Sequence, residues 1–486
     1  MQADRLEVTR RPEKFVANAQ RVITRLFLPG DEGRIRAVLK RVLALGEPEV
    51  REVLLEVLGN FDRRHRDIGD VFLGHYEKVA HLLDNGRALS EDRRMLIGSY
   101  FTMEYSIESA ALFNPSIVQH PDQSGLPAGS RRFIMSLRAT GEGHVSSIVF
   151  RTGVIDGAGE IRFDPVGNYV ESAKQVEDRQ YNKRRYFHKL IEMAGYNELA
   201  GVILDKLGED FTIHELDRAI EGTRGEGGES SAFQETADNM LWLARSNYHL
   251  SFPEDASPSE VAIFPTTEDE SRGIEDARFV RFAEGDGRAV YYGTYTAYNG
   301  FRILPQLLET ANFSEFRIST LNGRHCQNKG MALFPRRIDG WYLMLSRLDG
   351  ENLYIMPSKN IRFWNQATRL QTPTHSWELV QVGNCGSPLE TAEGWIMLTH
   401  GVGPMRRYCL GASLLDLEDP TKVIGQLREP LLAPSEEERD GYVPNVVYSC
   451  GAMIHGDLLV IPYAMADSAT TFATVGVQDL LDHMRR

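Results

Sequence analysis

Short apolar or aromatic runs, most of them entered through a glycine turn, recur from Phe113 onward and constrain the fold more than any other feature of the chain. They are Arg132–Leu137, Ala289–Tyr295, Gly340–Leu345, Gly394–Leu398 and Asp457–Tyr463, separated by stretches rich in Gly, Pro, Asp and Asn. Runs of this kind read as strands, and the later ones return roughly every 50 to 60 residues, as in an array of similar β units. Each blade of a propeller is a small antiparallel sheet, so five runs predict a mainly β, five-bladed β-propeller. A β-sandwich assembly satisfies the same loose pattern.

Two segments depart from it. From about residue 11 to 113, apolar positions fall at helical spacing, as in Ile35, Val38, Leu39, Val42 and Leu43 and again in Val50, Val53, Leu54, Val57 and Leu58. This predicts an N-terminal helical region over 1–110, a bundle of four or so helices, followed by the β domain over 111–486. A second helical stretch is expected at about 171–244, with Tyr186, Leu190, Ile191 and Met193 and then Leu216, Ala219 and Ile220 as its apolar stripes. It reads as an insertion between the first and second blades. Its glycine-rich passage Gly222–Gly228 is expected to be a flexible loop and lacks the spacing of a nucleotide phosphate loop.

A formal net charge of −14 argues against a general nucleic-acid binder, because phosphate backbones are held by clustered Lys and Arg. Cys326, Cys385, Cys409 and Cys450 are scattered without a CxxC pair, so neither a zinc site nor a disulfide framework is indicated. The opening residues carry no apolar run behind their charges, and no stretch of about eighteen apolar residues occurs. The expectation is a cytoplasmic protein with no membrane segment.

The chemistry concentrates at Gly273-Ile274-Glu275-Asp276-Ala277-Arg278-Phe279, followed by Tyr295-Thr296-Ala297-Tyr298. A carboxylic acid beside an arginine at the edge of an aromatic strand can protonate a glycosidic oxygen as its bond breaks. A turn with a neighbouring surface ion pair has the same composition. The order of further pieces separates the two readings: Asn114-Pro115-Ser116, Ser136-Leu137-Arg138-Ala139, Asn328-Lys329-Gly330-Met331-Ala332-Leu333-Phe334-Pro335, Leu345-Ser346-Arg347, Leu398-Thr399-His400-Gly401-Val402, Tyr442-Val443-Pro444-Asn445-Val446 and Tyr463-Ala464-Met465-Ala466-Asp467. Taken together, they make the chain resemble glycoside hydrolase family 130, the β-mannoside phosphorylases and related β-mannosidases, which are five-bladed propellers.

The resemblance implies that Asp276 is the general acid, passing its proton through a hydroxyl of the bound mannosyl unit. It places Asn114, Ser116, Arg138, Tyr298 and Asp467 in the sugar pocket, and Arg302, Lys329, Arg347 and His400 at positions that hold phosphate. Glu275 is then a supporting neighbour. Ala277 stands where the family usually has proline, which should loosen the turn at Asp276. Glu142 and His144 are candidates for reaching the sugar, with a solvated loop as the equal alternative, and Glu436–Glu438 reads as a charged surface loop.

An inverting hydrolase needs a second carboxylate to activate water. A phosphorylase needs cations to hold an anion that is already nucleophilic. The basic set therefore points to inverting phosphorolysis of a β-mannoside oligosaccharide by inorganic phosphate, giving α-mannose 1-phosphate. No metal and no cofactor are expected beyond phosphate as co-substrate, and a homo-oligomer is expected. The alternatives are a β-mannosidase using water and a non-catalytic glycan-binding propeller.

Overall fold

The computed structural model describes residues 6–83, 88–176, 180–192, 196–227, 231–267, 270–285, 287–300 and 303–485. Three residues that entered the expectations above, Met193, Gly228 and Arg302, lie outside the described residues.

The protein is mainly β. All five predicted runs fall in strands, Arg131–Thr140, Ala289–Tyr298, Tyr342–Ser346, Gly394–Val402 and Leu458–Met465, and each is the second strand of its own open sheet. The first strands of these sheets are Ala111–Gln119, Ile274–Ala283, Ala332–Leu333, Gln381–Asn384 and Val447–Tyr448. Ala111–Gln119 packs on Ile274–Ala283 of the second sheet and on Leu458–Met465 of the fifth. Between these, Ala289–Tyr298 meets Ala332–Leu333, Tyr342–Ser346 meets Gln381–Asn384, and Tyr408–Leu415 meets Val447–Tyr448. The sheets thus follow one another in a ring.

Strand alternation sends one row of side chains from each sheet towards its neighbour, and an apolar cluster fills every junction. Phe150, Phe279 and Phe316 lie between the first and second sheets, and Phe282, Tyr292 and Met344 between the second and third. Phe334, Leu345 and Trp395 occupy the next junction. Ile396, Leu410 and Tyr463 follow, and Phe133, Val460 and Phe472 close the circle between the fifth sheet and the first. Trp395 is fully buried, meets Phe334 edge to face at 5.2 Å, and donates from Nε1 to the Leu417 carbonyl at 3.0 Å. Trp395→Ala is expected to cost about 3–5 kcal/mol, read as a lower urea midpoint at unchanged slope. A loss below about 1 kcal/mol would mean that the junction collapses around the gap.

The N-terminal part is not purely helical. Thr9–Arg10 pairs with Ala469–Gly476 as the outer strand of the fifth sheet. Arg10 donates from Nε and Nη2 to the Glu438 carboxylate at 3.0 and 3.1 Å, and the Tyr463 hydroxyl donates to it at 2.5 Å. Glu436 and Glu437 are exposed as expected, but Glu438 is buried and locks this strand in place. A two-residue strand has no periodicity to read, which is why the pattern missed it. Four helices, Glu32–Leu43, Glu47–Phe61, Ile68–Val79 and Glu91–Tyr100, then pack around Leu39, Val50, Leu96 and Phe101.

Within the insertion the helices are Lys183–Glu192, Glu198–Asp205, Ile213–Gly227 and Ser231–Arg245, built on Leu190, Leu204, Leu216, Ile220 and Met240. They begin later than expected. Glu171–Ser172 and Lys174–Val176 are short edge strands on the first and second sheets, too polar and brief for a two-residue alternation to show. Gly222–Gly227 is helical rather than a loop. Thr223 is buried in the helical core and its hydroxyl bonds to the Ala219 carbonyl at 2.7 Å, while Arg224 pairs with Glu221, so packing overrides the weak helix propensity of glycine.

Candidate active site

The site is made by two matching irregularities. The pairing of Ile274–Ala283 with its neighbour breaks between Glu275 and Arg278, and that of Ala111–Gln119 breaks between Phe113 and Ser116. Bulges of this kind leave residues unpaired and re-aim their side chains. Asp276 and Asn114 sit at the two breaks in the left-handed region, with φ of 55° and 49°, a conformation that Asn and Asp tolerate better than other side chains. The first strands of adjacent sheets thereby turn these two residues towards each other, and Asn114 Nδ2 donates to Asp276 Oδ1 at 2.7 Å.

Cations surround the acid. Arg138 donates to Asp276 Oδ1 at 3.3 Å and to Glu275 Oε1 at 3.2 Å, and Lys329 donates to Glu275 Oε2 at 2.5 Å. Arg278 is buried beneath, donating to the Asp276 carbonyl at 2.8 Å and to the Tyr448 hydroxyl of the fifth sheet at 2.7 Å. The turn that Ala277 was expected to loosen is therefore held by Arg278, and also by Ser116, whose hydroxyl accepts from the Phe279 backbone N–H at 3.0 Å.

Burial works to raise the Asp276 carboxyl, but Arg138, Arg278, the Asn114 hydrogen bond and Lys329 outweigh it and hold the group below its ordinary value. Asp467 stands in the opposite condition. Burial and then the neighbouring Asp276 charge push it up to about 6, against the pull of Arg138 and Arg406. Two carboxyl groups with separated affinities for a proton are what acid chemistry near neutral pH requires.

This separation also makes a stability prediction. The Asp467 carboxyl titrates near 6 when folded and near 4 when unfolded, so its ionisation opposes folding above pH 6, and below pH 4 the protonated group contributes nothing. Asp467→Asn should therefore stabilise the protein by about 1–3 kcal/mol at pH 7.5 and leave stability unchanged at pH 4. Urea midpoints at the two pH values measure it, and an equal effect at both would exclude a titrating origin.

Asn114, Arg138, Glu275, Asp276, Lys329 and Asp467 thus come together as one cluster. Tyr298 lies beside it, its ring centroid 5.6 Å from the Lys329 ammonium and its hydroxyl bonded to the Gly300 carbonyl. Two further residues of the expected set, Ser116 and His400, are fully buried. Ser116 joins the second sheet to the first through the hydrogen bond from Phe279. His400 lies behind Arg347, with Arg347 Nη1 3.2 Å from its Nε2. Burial, then Arg347 and Arg278, hold its imidazole well below the usual value, so it is neutral and accepts from Arg347 rather than adding a charge. Arg347 itself lies against Gly330, beside Lys329, and its buried Nε has no hydrogen-bond partner among the described residues. Asn114 Oδ1 and Arg138 Nε are in the same state.

Sequence reasoning treated Arg278 as an ordinary salt-bridging neighbour and passed over Tyr448 and Arg406. Only Tyr448 carried a signal, its place just after the Tyr442–Val446 motif. Of the two residues named for reaching the sugar, His144 stacks on Tyr442 at 5.6 Å, joining the first-sheet loop to the fifth. Glu142 bonds through its carbonyl to the Tyr105 hydroxyl.

A ring of β-sheets with a buried carboxyl group, a cationic surround and unpaired polar atoms on Asn114 and Arg138 is an arrangement suited to acid-assisted cleavage of a sugar linkage. The glycoside hydrolase family 130 model, described as β-1,4-mannooligosaccharide phosphorylase, matches residues 251–486. A 1,2-β-oligomannan phosphorylase of Thermoanaerobacter sp. (strain X514) is 35% identical over 221 residues, 44% of this chain and 72% of that protein. A β-1,2-mannobiose phosphorylase of Listeria innocua is 29% identical over 256 residues, 51% of this chain and 70% of its own length. Among solved structures, a Listeria innocua β-1,2-mannobiose phosphorylase in complex with β-1,2-mannobiose aligns with 21% identity and a TM-score of 0.45, over 78% of this chain and 93% of that one. The chain belongs to glycoside hydrolase family 130.

Proposed function

We propose that this protein is a five-bladed propeller enzyme that cleaves a β-mannoside with inorganic phosphate, releasing α-mannose 1-phosphate with inversion. The observation that carries the reading is the surplus of positive charge beside the acid. Arg138, Arg278, Lys329 and Arg347 stand near Glu275, Asp276 and Asp467, and Glu275 is shared between Arg138 and Lys329. A carboxylate tied to two cations is a poor base for water, whereas the same cations suit a phosphate dianion.

Asp276 supplies the proton. Asn114, Arg138 and Asp467 hold the hydroxyls of the reacting sugar, with Asn114 Oδ1 as an acceptor still to be used. Lys329 and Arg347 hold phosphate, Tyr298 supports the Lys329 ammonium, and His400 braces Arg347 through its neutral ring. Arg302 is proposed as a further phosphate contact. Phosphate on these cations offsets the field that depresses Asp276, so the acid gains its proton when the co-substrate is bound.

Incubating the protein with β-1,2-mannobiose, with and without phosphate, and following the products by phosphorus NMR tests the reading. Mannose 1-phosphate that forms only with phosphate is expected. Release of free mannose at the same rate without phosphate would establish a hydrolase instead.

A further inference from the structure

Gly383 stands in Gln381–Asn384, the first strand of the fourth sheet, directly across the pairing from His400. Glycine weakens a strand interior and marks places where another group approaches closely. The backbone at 383 is not in the left-handed region, so its conformation does not call for glycine. The space around it does. A Cβ atom at 383 would stand 2.4 Å from Arg347 Cδ, 2.5 Å from His400 Cε1 and 2.9 Å from His400 Nε2. Gly330 leaves room for the next atom of the same side chain, since a Cβ there would stand 2.8 Å from Arg347 Nε. The arginine thus runs past two missing side chains on its way to His400, where Nη1 lies 3.2 Å from Nε2.

Of the two groups that a methyl at 383 would meet, the arginine yields more readily. His400 is fully buried, its ring meets Tyr448 edge-on at 4.9 Å, and its Nδ1 lies 3.7 Å from Cys385 Sγ. Arg347 is half-buried on a long, rotatable stem, and His400 is the hydrogen-bond partner of its guanidinium among the described residues. We propose that Gly383 is a positioning residue for phosphate: the side chain it lacks is the room that seats Arg347 against His400 and beside Lys329. This role rests on the reading of Arg347 as a phosphate contact. A guanidinium fork already held in one geometry loses less freedom on binding phosphate oxygens than one that must first be ordered. The atoms nearest a Cβ at 383 belong to Arg347 and His400, not to residues proposed to hold the sugar, so the effect falls on phosphate.

Phosphorolysis of β-1,2-mannobiose is measured for the wild type, Gly383→Ala, Arg347→Ala and the double variant, varying each substrate in turn. Gly383→Ala should raise the KM for phosphate at least about tenfold, as for loss of a charged hydrogen bond. The KM for mannobiose should not change, a split that general loosening of the fold would not produce. The double variant should be no worse than Arg347→Ala, because both changes remove the same contact. A crystal structure of Gly383→Ala should show the His400 ring in place and the Arg347 guanidinium moved off it.

An unmoved phosphate KM in Gly383→Ala, equal rises in both KM values, additive effects in the double variant, or a displaced His400 beside a seated Arg347 would overturn the proposal. Where Gly383→Ala does not fold, the double variant decides. Restored folding would keep the clash on Arg347 and support its seating, and unfolding of both would place the clash on His400 and overturn it. Should Arg347→Ala itself leave the phosphate KM unmoved, it is the phosphate reading that fails, and the crystal structure decides the seating by itself.

Discussion

Asp276→Asn should lower turnover of a β-mannoside by about 10²–10⁴-fold while leaving the protein folded. The amide keeps an oxygen in place of Oδ1, so the hydrogen bonds from Asn114 and Arg138 survive, but it has no acidic proton to deliver. Steady-state kinetics with saturating phosphate measure the effect. Unchanged turnover would remove Asp276 from the reaction, and intact glycan binding without any turnover in the wild type would favour a binding module. The pH dependence follows from the same field. Arg138, Arg278 and Lys329 hold the acid ionised at neutral pH in the free protein, so kcat/KM should fall as pH rises from the acidic range. Phosphate offsets those cations in the complex, and the corresponding fall in kcat should lie at higher pH. Coincident limbs would mean that phosphate does not reach the field around Asp276.

The second large effect is expected at Arg278. Its guanidinium is almost fully buried and joins the Asp276 carbonyl in the second sheet to the Tyr448 hydroxyl in the fifth. Arg278→Met leaves both acceptors without their donor and removes one of the cations acting on Asp276 and His400. A loss of about 3–5 kcal/mol is expected, as for breaking a buried polar pair from one side, and urea denaturation measures it. The Asp276 carboxyl should rise at the same time, moving the acidic limb of kcat/KM to higher pH. A stable variant with an unmoved limb would show that Arg278 neither supports the ring nor tunes the acid.

Much of the fold was legible because its strands are entered through glycine turns and its helices carry regular apolar stripes. Each of the five runs became the second strand of a sheet, and Leu39, Val50 and Leu216 became core residues of the helices predicted for them. Elements too short for a period were not legible, among them Thr9–Arg10 and Lys174–Val176. The aspartate proposed as the acid could be named from its motif, but its pairing with Asn114, 162 positions away, depends on two bulges whose meeting no local pattern encodes. Ser116 and His400 show the converse. Their motifs named them, but only the packed structure shows that both side chains are buried and bonded, Ser116 to the Phe279 backbone and His400 to Arg347.

Residue order by itself determined the strand and helix periods, the acidic motif at Glu275-Asp276 and the presence of a basic set, because these are properties of neighbours along the chain. Which cations face the acid, which histidine is neutral, and that Gly383 stands against Arg347 were decided only by the tertiary structure. Charge interactions fall off over a few ångströms in space and take no account of separation in sequence, so they exist only once the sheets have closed into a ring.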